Sequence, residues 1–415
     1  MSFLHHRNPL HLQNDAANRA APCIENLSNW DNAVKEITSW PEYKETPTWS
    51  LKTHAHRLGI GNLFYKDEST RFGRELGSFK ALGAPYAVYS LLVEHVEARI
   101  GVKASASDLR EGKFHHLTSS ITVCVATDGN QGRGLAYGAK AFGCRCVVYI
   151  HDHVSVERKA HIERLGAVVI RVRGEYEVSV SRAKEDAAMN EWFFVSSTSW
   201  DDFGSVIPRN VMNGYMVMVE EVLESIPDVQ SLTHFFMCAG VGSIAAAVFM
   251  GLASRCSSNY PRFVVIEPAA ADCLYQSSVK GYPTPSHGDL QTVMAGLACR
   301  EVSPAAYKIL QWLASDFFVV PDEVAIQGMK VLAEGHGDIP IVCGESSGAN
   351  MGVLEETVND PCLRATLGLT GQSQVLIFGC EGATSSGVYE DLVGRHPDSI
   401  FEDQFQYLSQ EPPNL

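Results

Sequence analysis

The chain lacks any apolar run long enough to span a bilayer as a helix, which excludes an integral helical membrane protein. Its start, Met1-Ser2-Phe3-Leu4-His5-His6-Arg7, lacks the charged-then-apolar pattern of a secretory leader. Positive charge is also in short supply. Lys and Arg number 33 against 48 Asp and Glu, a formal net charge of −15. Nucleic acid is therefore not expected as a partner, because phosphate contacts need a basic face. Cysteine is present without a disulfide framework: the eleven residues are odd in number and scattered, and Cys124, Cys146 and Cys238 sit in strand-like runs. Cys144-Arg145-Cys146 alternates as a strand does and has no metal-binding spacing. His151-Asp152-His153 reads as a solvated turn at a strand end, so no metal is expected. These absences leave a soluble, cytoplasmic protein as the expectation.

What is present is ordinary globular material: 415 residues, 45% apolar and 20% charged, enough for two domains with a substantial core. No internal repeat or low-complexity tract interrupts it. The first 45 residues are polar and read as an irregular arm. From Phe114 onward, short apolar runs alternate with helical segments. Strands are expected at Ile121–Val125, Cys146–Ile150, Ala167–Val172 and Trp192–Val195, with helices between them. The pattern restarts with a helix over Asn210–Glu224 and strands at Thr233–Cys238, Arg262–Glu267 and Gln374–Phe378. The expected fold class is α/β, two domains with mainly parallel sheets and a cofactor in the cleft between them. The expected division is 46–84 with 206–415 as the larger domain and 85–205 as the smaller.

Three segments carry chemistry. Ser78-Phe79-Lys80 puts a lysine between an aromatic ring and a helix-forming run, where desolvation would make its amine nucleophilic toward an aldehyde. By itself such a lysine reads more readily as a solvated surface charge, and only the company of the other segments lifts it above that. Thr127-Asp128-Gly129-Asn130-Gln131-Gly132 lies between a strand and a helix, where open α/β sheets bind ligands. Asp128 there is either an acid/base carboxylate or a helix cap. Ala239-Gly240-Val241-Gly242-Ser243 follows a strand and opens a helix, a turn suited to a phosphate. The same turn fits a dinucleotide fingerprint, Gly240-x-Gly242-x-x-Ala245 with Glu267 at a later strand end, and so keeps an NAD-type dehydrogenase open as a rival. Gly379-Cys380-Glu381-Gly382-Ala383-Thr384, again at a strand end, offers a thiol and a hydroxyl that can face a ring nitrogen.

Taken together with Lys66-Asp67-Glu68-Ser69 and Arg71-Phe72-Gly73, these segments resemble the fold-type II pyridoxal-phosphate enzymes, the tryptophan synthase β superfamily, and most closely its diaminopropionate ammonia-lyase branch. The motifs run in family order from about residue 45 to 390. The resemblance implies pyridoxal phosphate held by Lys80 as a Schiff base beside Phe79. It implies that Asn130 contacts the 3′-oxygen, that Gly240, Val241, Gly242 and Ser243 hold the phosphate, and that Cys380 or Thr384 lies near the ring nitrogen. Thr127, Asp128, Gly129 and Ser197 would meet a small amino-acid substrate, with Lys80 and Asp128 as the proton-transfer groups. The implied reaction is loss of a β-substituent to an aminoacrylate, then a 2-oxo acid such as pyruvate plus ammonia, in a homodimer.

Three departures from the branch pattern stand out. Gln131 replaces a histidine, the stretch from Gly73 to Phe79 is about two residues longer, and Ser197 stands where an aspartate binds the substrate's distal ammonium. The last departure makes a β-hydroxy or other β-substituted amino acid credible beside diaminopropionate. A β-replacement synthase, a serine/threonine-type dehydratase and a cofactor-binding protein without activity remain as alternatives.

Overall fold

The computed structural model describes residues 3–11, 30–127, 129–200, 203–255 and 260–410. The longer apolar runs become strands buried on both faces, and short, partly exposed strands line the sheet edges. Among the described residues these are β1 (Leu4–Arg7), β2 (Thr48–Ser50), β3 (Asn62–Asp67), β4 (Thr122–Ala126), β5 (Arg145–Ile150) and β6 (Val168–Arg171). Further along are β7 (Phe193–Phe194), β8 (His234–Cys238), β9 (Arg262–Pro268), β10 (Ala314–Val320) and β11 (Gln374–Gly379).

The chain divides into two compact units, one of residues Met1–Asn26, Glu45–Thr70 and Met218–Leu415, the other of Leu27–Lys44 and Arg71–Val217. The first unit holds a seven-stranded sheet in the order β1-β10-β9-β8-β11-β3-β2. Its five inner strands are parallel, and β1 and β2 close the two edges antiparallel. Phe235, Phe249 and Phe263 form its aromatic centre, with Phe249 stacked on Phe263 at 4.5 Å. The second unit holds a parallel four-stranded sheet, β6-β5-β4-β7. Parallel strands with helical crossovers are what an α/β chain of this pattern must build.

Two expectations need correction. The lead-in is not irregular throughout: Leu4–Arg7 pairs with Asp316–Val319 as β1, and Trp30–Thr38 is a helix burying Trp30, Ala33 and Ile37. A polar four-residue strand carries no local signal, because its partner lies more than 300 residues away. The unit boundaries fall at Thr70/Arg71 and Val217/Met218, so residues 71–84, Lys80 included, belong to the unit of the smaller sheet. Close glycine packing occurs among the helices of this unit. A Cβ on Gly83 would lie 2.5 Å from the Val211 carbonyl oxygen, and one on Gly138 would lie 2.7 Å from Pro85 Cα. These gaps let the Lys80–Ile100, Asn130–Phe142 and Val206–Ser225 helices approach backbone to backbone.

Candidate active site

In the second unit, Lys80 is the first residue of the Lys80–Ile100 helix, and its amide donates to the Ser78 hydroxyl at 3.4 Å. The side chain is half-buried, with Nζ 4.9 Å from the centre of the Phe79 ring. Phe79 is itself held edge-on by Tyr215, 4.9 Å between centroids. The Lys80 amine donates to Ser197 Oγ at 3.3 Å, across 117 residues of sequence. Its backbone is equally confined, since a Cβ on Gly134 would lie 2.6 Å from the Lys80 carbonyl oxygen.

The loop after β4 is braced from within. Thr127 Oγ1 accepts from the Gly129 amide at 3.0 Å and from that of Gly132 at 3.4 Å. Asn130 opens the following helix, and its Oδ1 accepts from Arg133, which also donates to the Glu75 carbonyl at 3.0 Å. Asp128 lies outside the described residues. Thr127, Asn130, Lys80 and Ser197 thus fall within one unit, whereas the division expected from sequence puts Lys80 in the other domain.

In the first unit, β8 runs into Ala239–Ser243, and Ser243 begins a helix to Arg255. Gly240 and Gly242 have φ of +54° and +98°, conformations that side-chain-bearing residues rarely adopt. The Gly242 position is also closed sterically: a Cβ there would meet Leu310 Cδ1 at 3.0 Å and Ala306 Cβ at 3.1 Å. Cys238 and Cys380, at the ends of the neighbouring strands β8 and β11, bring their sulfurs to 3.7 Å. The Cys380 amide donates to Ser347 Oγ at 2.7 Å. The hydrogen bond with Cys238, together with burial, pushes the Cys380 thiol well above its ordinary range, so it stays neutral. Thr384 is buried nearby in sequence, and the intervening turn is tight, as a Cβ on Gly382 would lie 2.8 Å from Ser69 Cβ. Neither Cys238 nor Ser347 has a sequence signal that would have singled it out.

Glu267 is not a ribose ligand. Its carboxylate is fully buried and accepts from the backbone amides of Leu274 at 2.9 Å and Tyr275 at 2.7 Å, which ties β9 to the Cys273–Lys280 helix. Burial raises its pKa to about 8. His151-Asp152-His153 is a turn held by Arg171, which donates to the carbonyls of His151 and Asp152. No metal-binding cluster occurs among the described residues.

These features fit a phosphorylated aldehyde cofactor. They comprise a primary amine at a helix start, a glycine turn that side chains would fill, and a neutral buried thiol beside a polar turn. A family model described as pyridoxal-phosphate dependent enzyme matches residues 40–376. Diaminopropionate ammonia-lyase of Salmonella typhimurium is 35% identical over 362 residues, 85% of this chain and 89% of that protein. The crystal structure of diaminopropionate ammonia lyase from Escherichia coli in complex with D-serine superposes with a TM-score of 0.81 at 31% identity, over 94% of this chain and 97% of that one. The same enzyme in complex with an aminoacrylate-PLP azomethine reaction intermediate gives 0.78 at 30%, over 95% and 97%. The chain belongs to the pyridoxal-phosphate dependent enzymes, in the fold-type II class, and its cofactor is pyridoxal phosphate. A dinucleotide in the Gly240 turn is thereby set aside.

Proposed function

We propose that the protein is a β-eliminating ammonia-lyase acting on a small amino acid of the 2,3-diaminopropionate type. One water is consumed in the overall reaction, and pyruvate and two molecules of ammonia leave. The observation that carries the reading is likeness across almost the whole length of a diaminopropionate ammonia-lyase.

On this reading, Lys80 anchors the cofactor's aldehyde carbon, and the freed amine later removes the proton at the substrate's Cα. Gly240, Val241, Gly242 and Ser243 hold the phosphate through backbone N–H groups and the Ser243 hydroxyl. Asn130 orients the ring's 3′-oxygen. Cys380 or Thr384 meets the ring nitrogen, and a thiol kept neutral by Cys238 would leave that nitrogen unprotonated. When bound, pyridoxal phosphate supplies the electron sink that makes the Cα proton acidic. Asp128 serves as the second acid/base, while Thr127, Gly129 and Ser197 meet the substrate. The uncharged Ser197 hydroxyl beside Lys80 favours a second reading, in which a β-hydroxy amino acid such as serine is also taken. A cytoplasmic homodimer belongs to the same proposal; the nine unbridged cysteines among the described residues suit a reducing compartment.

The test is the visible spectrum of the protein loaded with pyridoxal phosphate, before and after D- or L-diaminopropionate, with pyruvate and ammonia assayed. A violet band that shifts, with product formed, supports the reading. In Lys80→Ala both the band's substrate response and turnover should vanish while the fold persists. A requirement for an added nucleophile would instead mark a β-replacement synthase.

A further inference from the structure

Gln131 is 93% shielded from solvent, at 7% exposure, as the second residue of the Asn130–Phe142 helix. Its Nε2 donates to the Val195 backbone carbonyl at 3.4 Å. That contact settles which way the amide points. A carbonyl oxygen can only accept, so the NH2 group must face Val195 and Oε1 must face elsewhere. Among the described residues Oε1 has no hydrogen-bond partner. A buried amide oxygen left unpaired is destabilising, and native interiors rarely keep one without a ligand or water to satisfy it.

The surroundings indicate which ligand. Two residues beyond Val195, Ser197 Oγ accepts from the Lys80 amine at 3.3 Å. The stretch Val195–Ser197 therefore touches both the Gln131 amide and the lysine amine. The assignment rests on the elimination reading given above. Of the polar groups on a small amino acid, the α-amine is engaged with the cofactor, and the α-carboxylate carries no donor and repels an amide oxygen. What remains is the substituent on Cβ.

We infer that Gln131 is a specificity residue whose Oε1 accepts a hydrogen bond from the substrate's β-substituent. The site then takes small amino acids whose leaving group carries N–H or O–H, such as an ammonium or a hydroxyl. It disfavours those whose leaving group has no donor, such as a halide. Elimination needs no co-reactant: the Cα–H bond and the Cβ–N or Cβ–O bond break, and a Cα=Cβ double bond forms. The Cα proton passes to Lys80, and the β-group leaves as ammonia from an ammonium or as water once its hydroxyl has taken up a proton.

The experiment compares the wild-type holoenzyme with Gln131→Met, which keeps the length and loses the acceptor. Substrates are 2,3-diaminopropionate and serine against β-chloroalanine. The dissociation constant of alanine, read from the visible band, reports binding without a β-donor. Gln131→Met should lower kcat/KM about 10- to 100-fold for diaminopropionate and serine, while β-chloroalanine turnover and alanine affinity change less than about threefold. Equal losses on all three substrates would overturn the assignment, since Gln131 would then serve the fold or the lysine. No loss on any would overturn it as well. Circular dichroism and the melting temperature report whether Gln131→Met folds. If it does not, Gln131→Glu decides: it should favour diaminopropionate over serine by at least about tenfold relative to wild type, and an unchanged ratio overturns the assignment. A wild-type protein with no band and no turnover would overturn the elimination reading itself, and the role of Gln131 with it.

Discussion

Gly134 faces the carbonyl of Lys80 so closely that a Cβ in its place would sit 2.6 Å from the oxygen and 3.1 Å from the carbon. Both atoms are backbone, so neither can swing aside as a side chain would. The start of the Lys80–Ile100 helix is thereby set by the absence of one methyl group.

Gly134→Ala should therefore displace Lys80 more than it destabilises the protein. Overpacking of this kind costs about 1–3 kcal/mol, whereas misplacing a reacting group by roughly an ångström can cost about 100-fold in rate. Steady-state kcat beside thermal melting checks this. A melting point lowered with kcat intact would show that the contact does not govern the lysine.

Lys66 and Glu221 form a buried pair, Nζ to Oε2 2.5 Å, with side chains 0% and 4% exposed. Thr46 Oγ1 donates to Glu68 at 2.6 Å beside it. Glu221→Ala strands a buried ammonium and should destabilise by about 3–5 kcal/mol, whereas Lys66→Met with Glu221→Leu should cost much less. Denaturant titration of both variants is the measurement, and equal losses would refute the charge argument.

Glu267 has its pKa raised to about 8 from a reference value of 4.5, chiefly by burial. The folded state therefore prefers the protonated acid. Its stabilising contribution is complete below about pH 4.5, declines as pH rises, and is lost above about pH 8. Glu267→Gln removes that titration, so the wild-type advantage in melting temperature should shrink between pH 5 and 8.5. A difference that stays constant across that range would refute the sign.

Residues that act through local pattern were legible in the sequence, and those that act through distant approach were not. The strands β4, β5, β8 and β11 announce themselves because burial on both faces demands unbroken apolar runs. The Gly240 turn is readable because only glycine tolerates its backbone. Lys80 could be named from its motif, yet its contact with Ser197 spans 117 residues and leaves no trace in spacing. Gln131 was visible only as a departure from a pattern; its orphaned oxygen is a property of packing. Glu267 kept a rival reading open because a strand-end acid after a glycine turn looks the same whether it holds a ribose or accepts from the first turn of the next helix.

Both edges of the seven-stranded sheet end in brief antiparallel pieces, four residues in β1 and three in β2. The long parallel strands inside therefore never present a full row of unpaired N–H and C=O groups to a second chain. Removing the first ten residues would undo this on one side, baring the seven-residue, fully buried strand β10 as a ready template for intermolecular pairing. The N-terminal strand thus shields β10 from edge-to-edge pairing, a consequence quite separate from chemistry.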